Sequence, residues 1–155
     1  MTTRKSRALS AQGACFAATI ALGLLPAAAP GAAINWVPDA DGLWGVAANW
    51  SSNPSLPGAA DDVTINVGGA VVRVITHDSG THTIRTINNA ETVDVTNAST
   101  LQISSGGLAS TNTGTLRANN GTLNLIGSAL TNSGGTLSAI NGGGINLSGG
   151  TTITG

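Results

Sequence analysis

The chain is poor in charge, in aromatics and in cysteine, and each shortage removes a class of function. Charged side chains make up 8% of the 155 residues and aromatics 3%, with no tyrosine. A formal net charge of -1 leaves no electrostatic footprint for nucleic acid, and no tract of basic residues faces a membrane surface. The one cysteine, Cys15, lies in an apolar leader, so neither a zinc set nor a disulfide framework can be assembled. Enzymes need titratable groups, and after Asp94 the only formal charge is Arg117. The expectation is a non-enzyme with no catalytic, cofactor-binding or metal-binding residue, and the length allows one domain at most.

What is present begins with a targeting pattern. Arg4, Lys5 and Arg7 open the chain, and residues 8–33 carry no charge and consist mainly of Ala, Leu and Gly, as in a secretory signal peptide. Gly31 and Ala33 supply the small residues expected ahead of a cut before Ile34, whereas a cut after Ala29 would place Pro30 beside the scissile bond. Cleavage is therefore expected between Ala33 and Ile34. An uncleaved anchor is the competing reading, since such a run is long enough to span a bilayer, but Pro26, Pro30 and the alanine content weigh against it. Cys15 fails as a lipid attachment site because Gln12 stands where an apolar residue is needed. Past Ala33 the chain holds seven acids against Arg73, Arg85 and Arg117, and no cysteine, so stability must come from a core and a hydrogen-bonded backbone.

All prolines and tryptophans precede residue 58, whereas Gly, Thr, Asn and Ser make up 40 of the 61 residues from 95 to 155. Such a mixture is either disordered or a repeat, and it repeats. Leu101-Gln102-Ile103 is echoed by Leu123-Asn124-Leu125 and again by Ile145-Asn146-Leu147, a step of 22 residues taken twice. Leu108 recurs as Leu130 at 22, Gly114-Thr115-Leu116 as Gly135-Thr136-Leu137 at 21, and Thr111-Asn112 as Thr131-Asn132 at 20. Each element alternates apolar and polar residues with the period of a half-buried strand, and Gly, Asn and Ser between them suit tight turns. The fold expected is all-β: a right-handed parallel β-helix, or β-solenoid, of about 22 residues per coil behind a signal peptide. Leu101, Ile103, Leu116, Leu123, Leu125, Leu137, Ile145 and Leu147 should face inward, with Asn124 and Asn146 outward or stacked at a turn. One coil alone cannot fold, because about four buried aliphatics at roughly 1.5–3 kcal/mol each do not offset the ordering of some 22 residues at about 1–2 kcal/mol each. Irregular first coils are expected from the runs Val63–Val67, Val71–Ile75, Thr83–Ile87 and Thr92–Val95. Disorder and a β-sandwich are the competitors; disorder does not account for apolar alternation held in phase, and a sandwich gives no reason for an echo at 22 residues.

The segment ahead of the repeat runs Asn35-Trp36, Gly42-Leu43-Trp44, Ala48-Asn49-Trp50-Ser51, then Pro57-Gly58 and Asp61-Asp62 before the first strand. This resembles the opening of bacterial secreted β-helix proteins: autotransporter passengers, filamentous adhesin-like proteins and PEP-CTERM surface proteins. Residues 101–155 resemble the Gly-Thr-Leu and Leu-Asn-Leu coils of the same proteins. The resemblance implies a signal peptide at 1–33, a tryptophan-containing cap at 34–61 and solenoid coils over 62–155, secreted or held at the outer surface of a bacterium. Members of these families run on much further, whereas this chain stops in mid-repeat, so a fragment, a truncated frame or a subunit that stacks on another is expected.

Candidate chemistry is sparse. The three tryptophans suit either a platform for sugar rings or a plug for the open end of the solenoid, and the plug is favoured because something apolar must cover the first coil. Asp61-Asp62 is read as closing a turn, since adjacent strand residues point to opposite faces and do not share a metal. Asp39-Ala40-Asp41-Gly42 has its glycine too early for a calcium loop. His77-Asp78-Ser79 holds the residue types of a hydrolase triad, but consecutive residues do not give that geometry. Gly142-Gly143-Gly144 lacks the lysine of a phosphate loop. The expected role is non-catalytic display, with weak multivalent contact to glycans, extracellular matrix or like chains, including end-to-end self-association. The alternative is the leading segment of a β-helix carbohydrate lyase or secreted protease whose catalytic residues lie beyond Gly155.

Overall fold

The computed structural model describes residues 31–155. The expected leader therefore lies almost wholly outside the described residues. The chain enters as β1 (Ala33–Asn35) and β2 (Gly42–Leu43), passes a single 3-10 turn at Ala47–Asn49, and then winds as a parallel β-solenoid of about four turns. The first complete coil is β3 (Asp62–Ile65), β4 (Val74–His77) and β5 (Thr81–Ile84); the second is β6 (Thr86–Asn89), β7 (Thr92–Val95) and β8 (Thr100–Ser104). The third is β9 (Ala109–Asn112), β10 (Thr115–Asn119) and β11 (Thr122–Ile126), and the fourth β12 (Ala129–Thr131), β13 (Thr136–Ile140) and β14 (Gly144–Ser148), after which β15 (Thr152–Thr154) begins another.

Three parallel sheets form the walls, in the orders β1-β3-β6-β9-β12-β15, β2-β4-β7-β10-β13 and β5-β8-β11-β14. The register follows the sequence echo. Leu101 pairs with Leu123 and Leu123 with Ile145, the step of 22, and Leu116 pairs with Leu137 at 21. For β12 the competing steps of 22 and 20 resolve in favour of 20, because Leu130 pairs with Ser110 and Thr131 with Thr111. Leu108 is thus not the partner of Leu130; it lies outside the strands and is exposed.

The bore is filled by the alternate residues of each strand. Leu101, Ile103, Leu116, Leu123 and Leu125 are buried as expected, continued upstream by Val63, Ile65, Ile75, Ile84, Ile87, Val93 and Val95. Leu137 and Ile145 are half-buried against this core, while Leu147 is 54% exposed. The pattern still points Leu147 inward, opposite Leu125, but no described coil covers its other side. Two upstream strands also differ from expectation. Val71 and Val72 stay in an exposed loop and the strand begins at Val74, whose N–H is held by the Asp41 carboxylate. The run Thr83–Ile87 breaks at Arg85, whose N–H bonds to the Asp61 carbonyl and whose guanidinium grips Asp62, so a corner separates β5 from β6.

At the corners the coils approach closely. A Cβ at Gly121 would lie 2.5 Å from the Val95 carbonyl oxygen of the preceding coil, so glycine is required there for space. Just before it Asn120 adopts φ 57°, a left-handed conformation that asparagine tolerates better than most residues.

Candidate functional site

Of the three walls, the sheet β5-β8-β11-β14 presents the most uniform outer face. Leu101, Ile103, Leu123 and Leu125 turn inward, so their neighbours must turn outward. Thr81, Thr100 and Thr122 stand in register as one row, and Thr83, Gln102, Asn124 and Asn146 as a second. Rungs repeat at about 4.8 Å, the spacing of hydrogen-bonded strands. Asn146 donates through Nδ2 to Asn124 Oδ1 at 2.9 Å, so Asn124 and Asn146 are both outward and stacked. The four strands carry no acid, lysine or arginine.

Among the described residues the arginines and the carboxylates they pair with sit on the other walls, the corners and the cap segment, where they brace neighbouring parts of the stack. Arg117 pairs with its register partner Asp94, Nε to Oδ1 at 2.9 Å and Nη2 to Oδ2 at 2.7 Å. Arg85 grips both oxygens of Asp62, and Arg73 pairs with Asp39. Hydrogen bonds from Arg117 hold the Asp94 carboxyl below its ordinary range, and those from Arg85 do the same for Asp62. Both guanidinium groups are raised in turn by the carboxylates they bind. Glu91 is buried and accepts the Arg73 backbone N–H at 2.6 Å.

The residues singled out in the sequence fall into place separately. Trp36, Trp44 and Trp50 are all buried, with Trp50 edge-on to Trp36 at 5.1 Å and to Trp44 at 4.7 Å between ring centroids, so no indole face is open to a sugar. Asp61 Oδ2 accepts the Gly58 N–H at 2.8 Å, closing the turn before β3, while Asp62 faces Arg85. Asp39 and Asp41 bind Arg73 and the Val74 N–H. Among the described residues no three His, Cys, Asp or Glu side chains group to hold a metal ion, and no helix is long and apolar enough to cross a membrane. In the glycine run, Gly142 turns the corner between β13 and β14 with φ 80°. Ala33 and Ile34, the residues of the expected cleavage, lie in β1 opposite Asp62 and Val63.

His77 does not join Asp78 and Ser79. Its ring points into the bore, with Nδ1 2.8 Å from Ser99 Oγ and Nε2 2.9 Å from His82 Nδ1. Sequence reasoning missed this chain, although Ser99 follows His77 by 22 residues, the repeat period itself. It also missed an internal amide ladder: Asn89 Nδ2 donates to Asn112 Oδ1 at 2.8 Å, and Asn112 Nδ2 to Asn132 Oδ1 at 2.7 Å. The recurrence of Thr-Asn at 111 and 131 was its visible trace.

Compared with protein-family models, with curated proteins and with solved structures, the chain matches none.

Proposed function

We propose that this chain is a non-catalytic display solenoid, exported by a bacterium and held outside the cell as part of an adhesin-like or autotransporter-like surface protein. The observation that carries the reading is the neutral outer face of β5, β8, β11 and β14, on which a threonine row over β5, β8 and β11 and an amide row over β8, β11 and β14 repeat in register. A hydroxyl or amide offered at each rung gives little affinity singly, because each bond to a ligand replaces one to water. A row of them engages a polymer many times over, and avidity then supplies the strength. Neutral glycans and matrix polymers fit such a surface better than charged ones. The pairing of Arg73, Arg85 and Arg117 with Asp39, Asp62 and Asp94 supports the same reading, since those groups hold coils together.

The test is binding to immobilised neutral polysaccharides against the same polymers in solution at low density. Weak binding that rises steeply with ligand density is expected, and Asn124→Glu, which puts charge on the face without entering the core, should reduce it at least about tenfold through lost avidity. Binding that is unaffected by Asn124→Glu would overturn the assignment of the face. Turnover of any polymer tested would overturn the non-catalytic reading.

A further inference from the structure

The geometry points to a function for the histidine pair beneath the cap, His77 buried and His82 half-buried: the two form an acid-sensitive clasp that holds the tryptophan cap on the first coil and releases it when both rings must carry a proton. The Ser99 hydroxyl donates to the His77 carbonyl oxygen at 2.7 Å. It therefore meets His77 Nδ1 as an acceptor, and His77 carries its proton on Nδ1. His77 Nε2 is then a lone pair, and His82 Nδ1, 2.9 Å away, must donate to it. This arrangement has room for one added proton. It goes to the far nitrogen of His82, which leaves the Nδ1 donor in place. A second proton on His77 Nε2 sets two N–H groups against each other across the same gap and places two like charges side by side, one of them fully enclosed.

Little nearby compensates a doubly charged pair: the Asp78 carboxylate favours a charge on His77, but less than burial and the His82 charge oppose it. Asp78, on the chain next to His77, is turned out of the bore and receives the Ser79 hydroxyl; β5 offers only His82 itself. On β7 the register partner of His77 is Val95, and the neighbouring Asp94 is engaged by Arg117. The cap offers Trp44, its indole 5.7 Å from the His77 ring, and the turn before β8 offers the uncharged Ser99. Burial drives His77 down to about 4, with the charge of His82 as the next cause, and burial lowers His82 as well. Trp44 already carries a buried indole N–H without a partner, so the cap has little to spare when the ring beneath it moves.

All three tryptophans lie in the cap, so their fluorescence reports the cap alone, while far-ultraviolet circular dichroism reports the coils. On titrating the full chain from about pH 7 to about pH 3, tryptophan emission should shift to the red with a midpoint between 6.5 and about 4, before the β signal falls. His82→Gln should move that midpoint down by about one pH unit or more, because a glutamine amide can donate to neutral His77 and flip to accept from the charged ring. Coincident loss of both signals, or an unchanged midpoint in His82→Gln, would falsify the clasp. Side-chain NMR of the unaltered chain decides independently of any variant: His82 is expected to protonate first while His77 stays an Nδ1–H tautomer, and the reverse order overturns the proposal.

Discussion

A histidine ring enclosed in the bore loses its hydration, and the charged form suffers most from that loss. His77 accordingly titrates at about 4 in the fold against 6.5 when exposed, so the unfolded chain binds its proton first. Stability is then complete above pH 6.5 and falls as the pH drops toward 4, by about 3 kcal/mol at 1.36 kcal/mol per pH unit. Urea unfolding across that window should show this loss, and His77→Gln should remove most of the slope even if it lowers stability at neutral pH. Asp94 acts in the same direction, for a different cause and lower on the scale. Its carboxyl is depressed chiefly by Arg117, so its contribution is present above the ordinary carboxylate value and is lost as pH falls through the lower folded value. The pair is only partly screened, Asp94 being 10% exposed at its side chain and Arg117 32%, which places it between surface and buried pairs. Arg117→Met should therefore cost about 1–2 kcal/mol at neutral pH and flatten the acid limb of the stability curve.

At the scale of the element, what was legible depended on whether a residue's role recurs. The strands of β8, β11 and β14 could be read because Leu-x-Leu alternation returns every 22 residues, and hydrophobic burial is blind to everything but that period. β4 was misplaced because Val71 and Val72 look like strand residues, yet the start of the strand is fixed by Asp41, far back in the chain, accepting from Val74. The outer rows of the candidate face followed from alternation, but their neutrality as a continuous surface needed the register. The amide ladder was hidden for a different reason: asparagine reads as a turn residue, and only the stacking of coils turns Asn89, Asn112 and Asn132 into one interior column. That column is a sharp test of polar satisfaction. Asn112 Nδ2 faces the Gly114 and Thr136 carbonyls as well as Asn132 Oδ1. Asn112→Ala should cost about 2–3 kcal/mol by leaving those groups unmet. Asn112→Asp should cost more at neutral pH, since a carboxylate oxygen replaces the donor in front of three acceptors. Chemical denaturation of the two variants side by side checks the order, and an aspartate variant as stable as the alanine one would count against the ladder.

The whole molecule is a stack in which each coil leans on its neighbours, so stability is distributed along the axis rather than held at one centre. One end is closed: Trp36, Trp44 and Trp50 pack over the first coil, and β1 and β2 pair with β3 and β4 to extend two of the walls. At the other end, Leu137 and Ile145 are only half-buried, and Leu147 and Ile153 are exposed at 54% and 39%. A coil covered on both sides exchanges its amide hydrogens only when the stack on both sides gives way, whereas a coil covered on one side opens alone. In the 155-residue chain, hydrogen exchange should therefore be slowest across β7, β8, β10 and β11 and faster through β13, β14 and β15. The strands at the fast end pair on one side only, Thr136 to Thr115 and Gly144 to Thr122 among their partners, and for the amides that face that side hydrogen bonding alone predicts the protection of the inner strands. For those paired amides, the difference between the two expectations is the contribution of apolar burial across the coil interface. Equal protection of the ladder-bonded amides from β7 to β15 in a dilute monomer would mean that the backbone ladder, and not stacking of the aliphatic rows, carries the stability of the solenoid.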